Sequence, residues 1–206
     1  MCNSKIKNQK GFTLTEFLVA TAILVLISFG IATLGRNIFF LNRTTYGSLQ
    51  AQLAARAALR QFGQEVRESS PSSLGAYPLV EAATSSFTFY SDIDSDGDKD
   101  KVRYFISGKD FKKGTINPSG TPLTYNGAQE KFSIIAQNVV NSTSTPIFDY
   151  FSTAYTGTGT PMVQPISISN VRLIKMTLHI NSDTIRNPED FVLATQVTPR
   201  NIKDNL

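Results

Sequence analysis

An uncharged apolar stretch near the amino terminus constrains the fold of this chain most. Residues 17–34 read FLVATAILVLISFGIATL and include no charged side chain. A stretch of this length is just sufficient to cross the hydrocarbon core of a bilayer as a helix. A buried core helix is the alternative, but core helices usually show a polar face, and this stretch shows none. The sequence therefore predicts one membrane-spanning helix.

The distribution of proline separates a long helix from a turn-rich region. All nine prolines lie at residue 71 or later. From residue 36 onward, apolar side chains recur at helical spacing: Tyr46, Leu49, Leu53, Leu59, Phe62 and Val66. Since no residue breaks a helix between the two segments, we expect one helix over residues 12–68, about 85 Å long at ~1.5 Å per residue. Its distal half, residues 36–70, would leave the membrane and pack on the domain that follows.

Residues 71–206 predict a β-rich globular domain. Short aromatic and β-branched runs bounded by turn residues are typical of strands. The predicted strands are Ser86–Ser91, Lys101–Ser107, Pro146–Ala154, Val171–Ile180 and Phe191–Thr198, while 131–138 is ambiguous between a strand and a short helix. Segments 114–128 and 156–165 predict loops. The fold class is therefore α+β, with a long N-terminal helix packed on an antiparallel sheet.

Composition and charge exclude several classes of function. The net charge of +4 is concentrated in the first 70 residues, because residues 71–206 hold 12 basic and 13 acidic residues. A nearly neutral domain gives no electrostatic basis for direct nucleic-acid binding. One cysteine and one histidine exclude a multi-cysteine metal site and argue against most Ser-His or Cys-His catalytic arrangements. We see no catalytic constellation and predict that the chain is not an enzyme.

The N-terminal segment fits one kind of export signal better than two others. A secretory signal peptide has a shorter apolar stretch and a small-residue cleavage site, for which Gly30–Ala32 is a poor candidate. Lipoprotein processing needs a cysteine after the apolar stretch, whereas Cys2 precedes it. Residues 10–20, KGFTLTEFLVA, instead resemble the processing segment of type IV pilins and pseudopilins. That family has a short basic leader ending in Gly, then Phe, and Glu at the fifth position after the cut.

The resemblance implies how the chain is processed and assembled. A prepilin peptidase would cut between Gly11 and Phe12, and the new amine of Phe12 would be N-methylated. The charged carboxylate of Glu16 costs free energy within an apolar segment, so it requires a partner that offsets the charge. The resemblance implies that this partner is the cationic amine of a neighbouring subunit in a filament. The alternatives are pairing of Glu16 with its own amine and a position of Glu16 in the headgroup region.

Topology and domain organisation follow from the same segment. Three lysines precede the apolar stretch, so the amino terminus is expected to be cytoplasmic and the β-rich domain periplasmic or extracellular. The predicted divisions are the leader 1–11, the transmembrane half 12–35, the amphipathic half 36–70 and the globular domain 71–206. The resemblance implies other pilins or pseudopilins, prepilin peptidase, the inner-membrane assembly machinery and membrane lipid as partners. The mature chain would have no cysteine, which suits an oxidising compartment.

Three short downstream segments resemble minor pilins and the J-type minor pseudopilins. They are FYSDIDSDGDKDKVRYFISG, ALRQFGQEVRES and the C-terminal TQVTPRN. The resemblance implies a minor structural subunit of a type IV pilus or a type II secretion pseudopilus. A competence-pilus minor pilin for DNA uptake is an alternative. A single-pass membrane-anchored binding or enzyme module is another, and it would retain residues 1–11.

An acidic segment in the β-rich domain is a candidate calcium site. Its carboxylates alternate with other residues, as in the first half of an EF-hand loop: Asp92, Asp94, Asp96, Asp98 and Asp100. Gly97 would allow the sharp turn. The twelfth position is Arg103 rather than a bidentate Glu, so the segment is not an EF-hand. A Ca²⁺ site in a β-turn and a solvated acidic turn, partly neutralised by Lys99 and Lys101, both remain open.

Overall fold

A computed structural model describes Gly11 and residues 13–181 and 190–202 of the chain. The helix α1 covers Leu14–Arg67. The strands are β1 (Leu79–Ala82), β2 (Ser86–Ser91), β3 (Asp100–Ser107), β4 (Asp110–Ile116), β5 (Lys131–Ala136), β6 (Phe148–Phe151), β7 (Leu173–Ile180) and β8 (Phe191–Val197). Single 3₁₀ turns lie at Gly127–Gln129 and Ile168–Asn170. The chain forms two compact units that divide between Thr45 and Tyr46.

The first unit contains the apolar part of α1. Residues Leu14–Arg36 are long and apolar enough to cross a membrane, and none of the most apolar window is buried. Large side chains such as Phe17, Leu26 and Phe29 are exposed along it. Exposed apolar side chains around a helix are what lipid contact requires, because the lipid interior takes the place of a protein core.

The second unit confirms the predicted α+β class. Its strands form two antiparallel sheets, one with the order β1-β2-β3-β4-β5 and one with the order β6-β7-β8. Phe62 of α1 joins both sheets in one core. Its ring centroid lies 5.3 Å from that of Tyr104 on β3 and 5.6 Å from that of Phe148 on β6. Aromatic packing of this kind buries large apolar areas and favours edge-to-face contacts.

The buried face of α1 differs from the predicted apolar stripe. Leu59, Phe62 and Val66 are buried as expected, but Tyr46, Leu49 and Leu53 are exposed. Three small residues complete the buried face at helical spacing: Ala51, Ala55 and Ala58. The predicted burial of Tyr46, Leu49 and Leu53 was wrong, because these residues lie on a different side of the helix from the alanines. Because alanine is small, it allows the helix to lie close to the sheets. A search for recurring large apolar residues does not find a buried face that is made of alanines.

The strands agree with the sequence where the apolar alternation is strong. The bounds of β2 are those predicted, and β3, β7 and β8 differ by one or two residues at an end. The ambiguous segment 131–138 contains a strand, β5. Two strands were missed: β1 and β4, the latter extending to Ile116 within a predicted loop. Strand β4 was not predicted because it contains two lysines and a glycine, and both residue types are uncommon in strands.

Candidate functional site

The start of α1 is closed by a reciprocal capping arrangement. The backbone N–H and the hydroxyl of Thr13 each donate to Oε2 of Glu16 at 2.9 Å. The backbone N–H of Glu16 donates in return to Oγ1 of Thr13 at 3.3 Å. This is a capping box, which satisfies N–H groups that have no partner within the helix. Glu16 therefore has a structural role in its own subunit, and Gly11 lies exposed just before this cap. Phe12 lies outside the described residues.

The acidic segment forms the turn between β2 and β3. Its carboxylates accept hydrogen bonds from the backbone of the turn. Oδ2 of Asp92 accepts from the N–H of Gly97 at 3.2 Å, and Oδ1 of Asp96 accepts from the N–H of Asp98 at 2.9 Å. Gly97 has φ +97°, a conformation that side chains disfavour. The glycine and the carboxylates thus build the turn together.

Three of the five predicted ligands lie together. One carboxylate oxygen from each of Asp92, Asp94 and Asp96 lies within 4.8 Å of the others. Asp98 and Asp100 are outside this group. Oδ1 of Asp92 is buried and has no hydrogen-bond partner among the described residues. Carboxylate oxygens are the ligands that Ca²⁺ prefers, so the turn has the chemistry for that cation.

Two carboxyl groups of the turn experience opposite electrostatic environments. Lys99 Nζ lies 3.1 Å from Oδ2 of Asp92, and this contact lowers the pKa of the Asp92 carboxyl. Asp100 is buried, and burial raises the pKa of its carboxyl to about 6, although the Ile93 N–H donates to it at 3.3 Å. The neighbouring aspartates raise that pKa further. Lys99 would have to give up part of its contact if a cation bound Asp92.

Distant residues hold the turn in place. Oγ of Ser73 accepts from the backbone N–H of Lys99 at 2.8 Å, and the hydroxyl of Tyr125 donates to the Lys99 carbonyl at 2.5 Å. Nδ2 of Asn117 donates to Oδ2 of Asp94 at 3.1 Å. The sequence analysis did not identify these three residues. Each lies some twenty or more residues from its partner, and no local pattern marks such a contact.

Comparison with known families bears on the N-terminal region. A family model described as the prokaryotic N-terminal methylation motif matches residues 6–32. The chain carries this motif. The match includes Gly11 and Glu16, and it is consistent with the type IV pilin and pseudopilin family named in the sequence analysis. No curated protein matches the chain.

The methylation motif and the structure agree on the general nature of the protein. The motif supports a processed, pilin-like subunit, and that family is structural rather than enzymatic. The matched residues overlap the exposed apolar helix Leu14–Arg36. Together, the two observations indicate a membrane-anchored, single-pass protein. The motif also suggests assembly with other pilins and processing by a prepilin peptidase.

Proposed function

We propose that this chain is a minor structural subunit of a type IV pilus or a type II secretion pseudopilus. The observation that carries the proposal is the N-terminal methylation motif over residues 6–32, which overlaps an exposed apolar helix. Residues 1–11 are the leader, cut between Gly11 and Phe12, and Phe12 is then N-methylated. The β-rich domain is periplasmic or extracellular, and the anchor lies in the inner membrane with a cytoplasmic amino terminus.

The capping box supports a specific geometry for assembly. Cleavage after Gly11 would create a cationic amine one residue before Thr13, at the end of the helix where Glu16 is held. A carboxylate within an apolar segment requires a charged or hydrogen-bonding partner. Thr13 supplies hydrogen bonds from within the chain, and the amine of an adjacent subunit supplies the positive charge. Assembly thereby neutralises two charges that are costly in lipid.

Intact-mass measurement tests the proposed processing. The full chain is produced with and without a prepilin peptidase and extracted from membranes. We expect loss of residues 1–11 and one added methyl group only when the peptidase is present. Gly11→Val should block the cut, since a bulky side chain would fill the small site before the scissile bond. Gly30→Val is a matched control in an open position of the helix, and it should be cut normally.

The same measurement separates the proposal from a plain membrane anchor. A single-pass binding module would retain residues 1–11 in the presence of the peptidase. A competence-pilus minor pilin would be processed in the same way as a secretion subunit. These two are distinguished by loss of DNA uptake or loss of protein secretion when the chain is deleted from its own cell.

The turn between β2 and β3 supports a second, independent proposal, that the domain binds one Ca²⁺. The proximity of Asp92, Asp94 and Asp96 and the unsatisfied Oδ1 of Asp92 favour it. A cation would reduce the repulsion among these carboxylates and would tie β2 to β3. Titration of the full chain in detergent with Ca²⁺, followed by calorimetry, tests this proposal. An absence of binding at millimolar Ca²⁺ would establish the solvated turn instead.

A further inference from the structure

Strand β5 forms an open edge of the larger sheet. It pairs with β4 on one side and is the outermost strand on the other. Among the described residues, no backbone group of Lys131–Ala136 hydrogen-bonds to anything beyond the strand pairing with β4. The outward N–H and C=O groups of β5 are therefore available to another strand. Proteins usually protect such edges, because they promote pairing with other chains.

Two other edge strands are covered. The side-chain amide of Gln164 donates to the carbonyl of Ala82 on β1 at 2.9 Å. The backbone N–H of Met162 donates to the carbonyl of Tyr150 on β6 at 2.8 Å. One loop, between β6 and β7, thus supplies groups to both edges. Within the larger sheet, the open edge of β5 contrasts with the contacted edge of β1, while β8 at the edge of the smaller sheet receives no such backbone hydrogen bond from the described residues.

The side chains of β5 make the open edge apolar. Phe132 and Ile134 are 60% and 52% exposed and lie on the same face of the sheet. Phe105 on β3 extends this face, with its ring centroid 6.0 Å from that of Phe132. Arg103 lies 4.2 Å above the Phe105 ring and is neutralised by Glu130. We call Phe105, Phe132 and Ile134, with the open backbone of β5, the β5 edge surface.

Two lysines border this surface, since Lys112 is opposite Ile134 in the pairing of β4 with β5 and Lys131 begins β5. Neither forms an ion pair with a described residue. Lys131 is on the opposite face of β5 from Phe132, because side chains alternate along a strand. A strand added beside β5 would therefore meet apolar side chains on one face and a positive charge on the other.

We propose that the β5 edge surface binds an extended segment of another protein by strand addition. The segment carries apolar residues at alternate positions, which face Phe132 and Ile134. An acidic residue flanks the one that faces Phe132, on the side away from Ile134, and faces Lys131. Backbone hydrogen bonds give the affinity, and the alternating side chains give the specificity, as in other cases of strand addition. This inference goes beyond the proposed function and does not depend on cleavage or filament assembly.

A synthetic peptide of this chemistry tests the proposal on the full chain in detergent micelles. Valine and threonine alternate in a fluorescein-labelled peptide, and glutamate stands at both ends, so either strand direction brings a carboxylate near Lys131. We expect binding by fluorescence anisotropy, together with slower amide hydrogen exchange confined to β5 and its neighbours. Replacing the two central residues, one valine and one threonine, by their N-methyl derivatives removes a backbone N–H from each edge of the peptide and should abolish binding. Equal binding of the N-methylated peptide would overturn the proposal.

Matched variants of the protein locate the site. Ile134→Lys should weaken binding by at least about tenfold, the effect of losing one packed anchor. Val163→Lys places the same change on another exposed apolar residue and should leave binding unchanged. Lys131→Glu should reverse the preference in favour of a peptide with lysine at both ends. If Ile134→Lys fails to fold, the peptide preference of Lys131→Glu still tests the proposal. Absence of peptide binding at millimolar concentration, or equal effects of Ile134→Lys and Val163→Lys, would refute strand addition at β5.

Discussion

Glu65 on α1 and Lys113 on β4 form a buried ion pair, with Nζ of Lys113 2.5 Å from Oε1 of Glu65. The hydroxyl of Tyr104 donates to Oε2 of Glu65 at 2.8 Å, and Gln61 donates to Oε1 at 2.8 Å. Burial and the adjacent Glu65 carboxylate raise the pKa of the Tyr104 phenol, so it remains a donor. This polar network joins the helix to the centre of the sheet.

Removal of one partner of this pair should be more harmful than removal of both charges. We expect Lys113→Met to lower the free energy of unfolding by about 3–5 kcal/mol, since it leaves the Glu65 charge buried and uncompensated. Adding Glu65→Gln should recover much of this loss, because glutamine still accepts from Tyr104. Urea unfolding of the full chain in detergent, followed by near-ultraviolet circular dichroism, measures both. A double variant as unstable as Lys113→Met would contradict this account.

Gly114 allows a second ion pair to form across the outer face of the sheet. It is opposite Arg103 in the pairing of β3 with β4. Glu130 passes over this position to reach Arg103 in a bidentate contact, at 2.9 and 2.8 Å. A Cβ at Gly114 would collide with the Glu130 carboxylate. The missing side chain therefore provides the space for the carboxylate.

Gly114→Ala should displace the Glu130 carboxylate from Arg103 and destabilise the domain by about 1 kcal/mol or less, because this carboxylate is the end of a flexible side chain in a partly exposed ion pair. The same substitution should have little effect in a Glu130→Ala background, where nothing occupies the space. A double-mutant cycle by thermal denaturation measures this coupling. Additive effects of the two substitutions would show that Gly114 is needed for another reason.

These two pairs explain why β4 was difficult to predict. Its sequence, DFKKGTI, reads as a turn, because lysine and glycine are unusual at buried strand positions. Lys113 can be buried because its charge is paired with Glu65, which is 48 residues away, and Gly114 is covered by the side chain of Glu130. By contrast, the bounds of α1 and β2 follow from periodicity within a single segment. Sequence reasoning succeeded where the determinants are local and failed where distant side chains define the environment.

The candidate sites show the same division. The methylation motif lies within one short segment, so the sequence reveals it, whereas the capping of Glu16 by Thr13 was not predicted although the two residues are only three positions apart. The acidic turn was evident as a pattern, but the burial of Asp100 was not, since it depends on the folded sheets. Ser73 and Tyr125, which hold this turn, are likewise brought to it only by the fold.

Asp100 should make stability depend on pH. Burial raises its pKa to about 6, above the value of about 4 expected in the unfolded chain. The folded state therefore binds the proton more tightly. Its contribution to stability is fully present below pH 4 and is lost as pH rises through 6. Asp100→Asn retains an acceptor for the Ile93 N–H without the charge.

Measured without divalent cations, Asp100→Asn should melt several degrees above the wild type at pH 7, and this advantage should disappear near pH 4. Thermal denaturation at intervals between these limits checks both the sign and the range. Asp110→Asn, a change at the first residue of β4, is the matched control and should show no such convergence. A constant difference between Asp100→Asn and the wild type across the range would exclude titration of Asp100 as the cause.

Glu16 provides a test that separates capping from charge pairing. Glutamine can take the place of glutamate in a capping box, so Glu16→Gln retains the contact with Thr13 but removes the charge. If assembly depends on pairing with the amine of an adjacent subunit, Glu16→Gln and Glu16→Ala should both reduce incorporation into the filament by about tenfold or more, while membrane insertion is unaffected. Immunoblotting of sheared filaments and membrane fractions measures the two quantities. Normal assembly of Glu16→Gln would assign the role of Glu16 to capping alone.

Calcium should stabilise the β-rich domain if the turn between β2 and β3 binds it. A ligand that binds only the folded state, at 100 times its dissociation constant, adds about 2.7 kcal/mol to the free energy of unfolding. This is a large part of the ~5–15 kcal/mol typical of a domain. We expect a higher melting temperature for the full chain in detergent with millimolar Ca²⁺ than with a chelator. Asp94→Asn combined with Asp96→Asn should remove the difference, whereas Asp110→Asn should retain it. Identical melting of the wild type with Ca²⁺ and with chelator would mean that hydrogen bonds and solvent alone stabilise this turn.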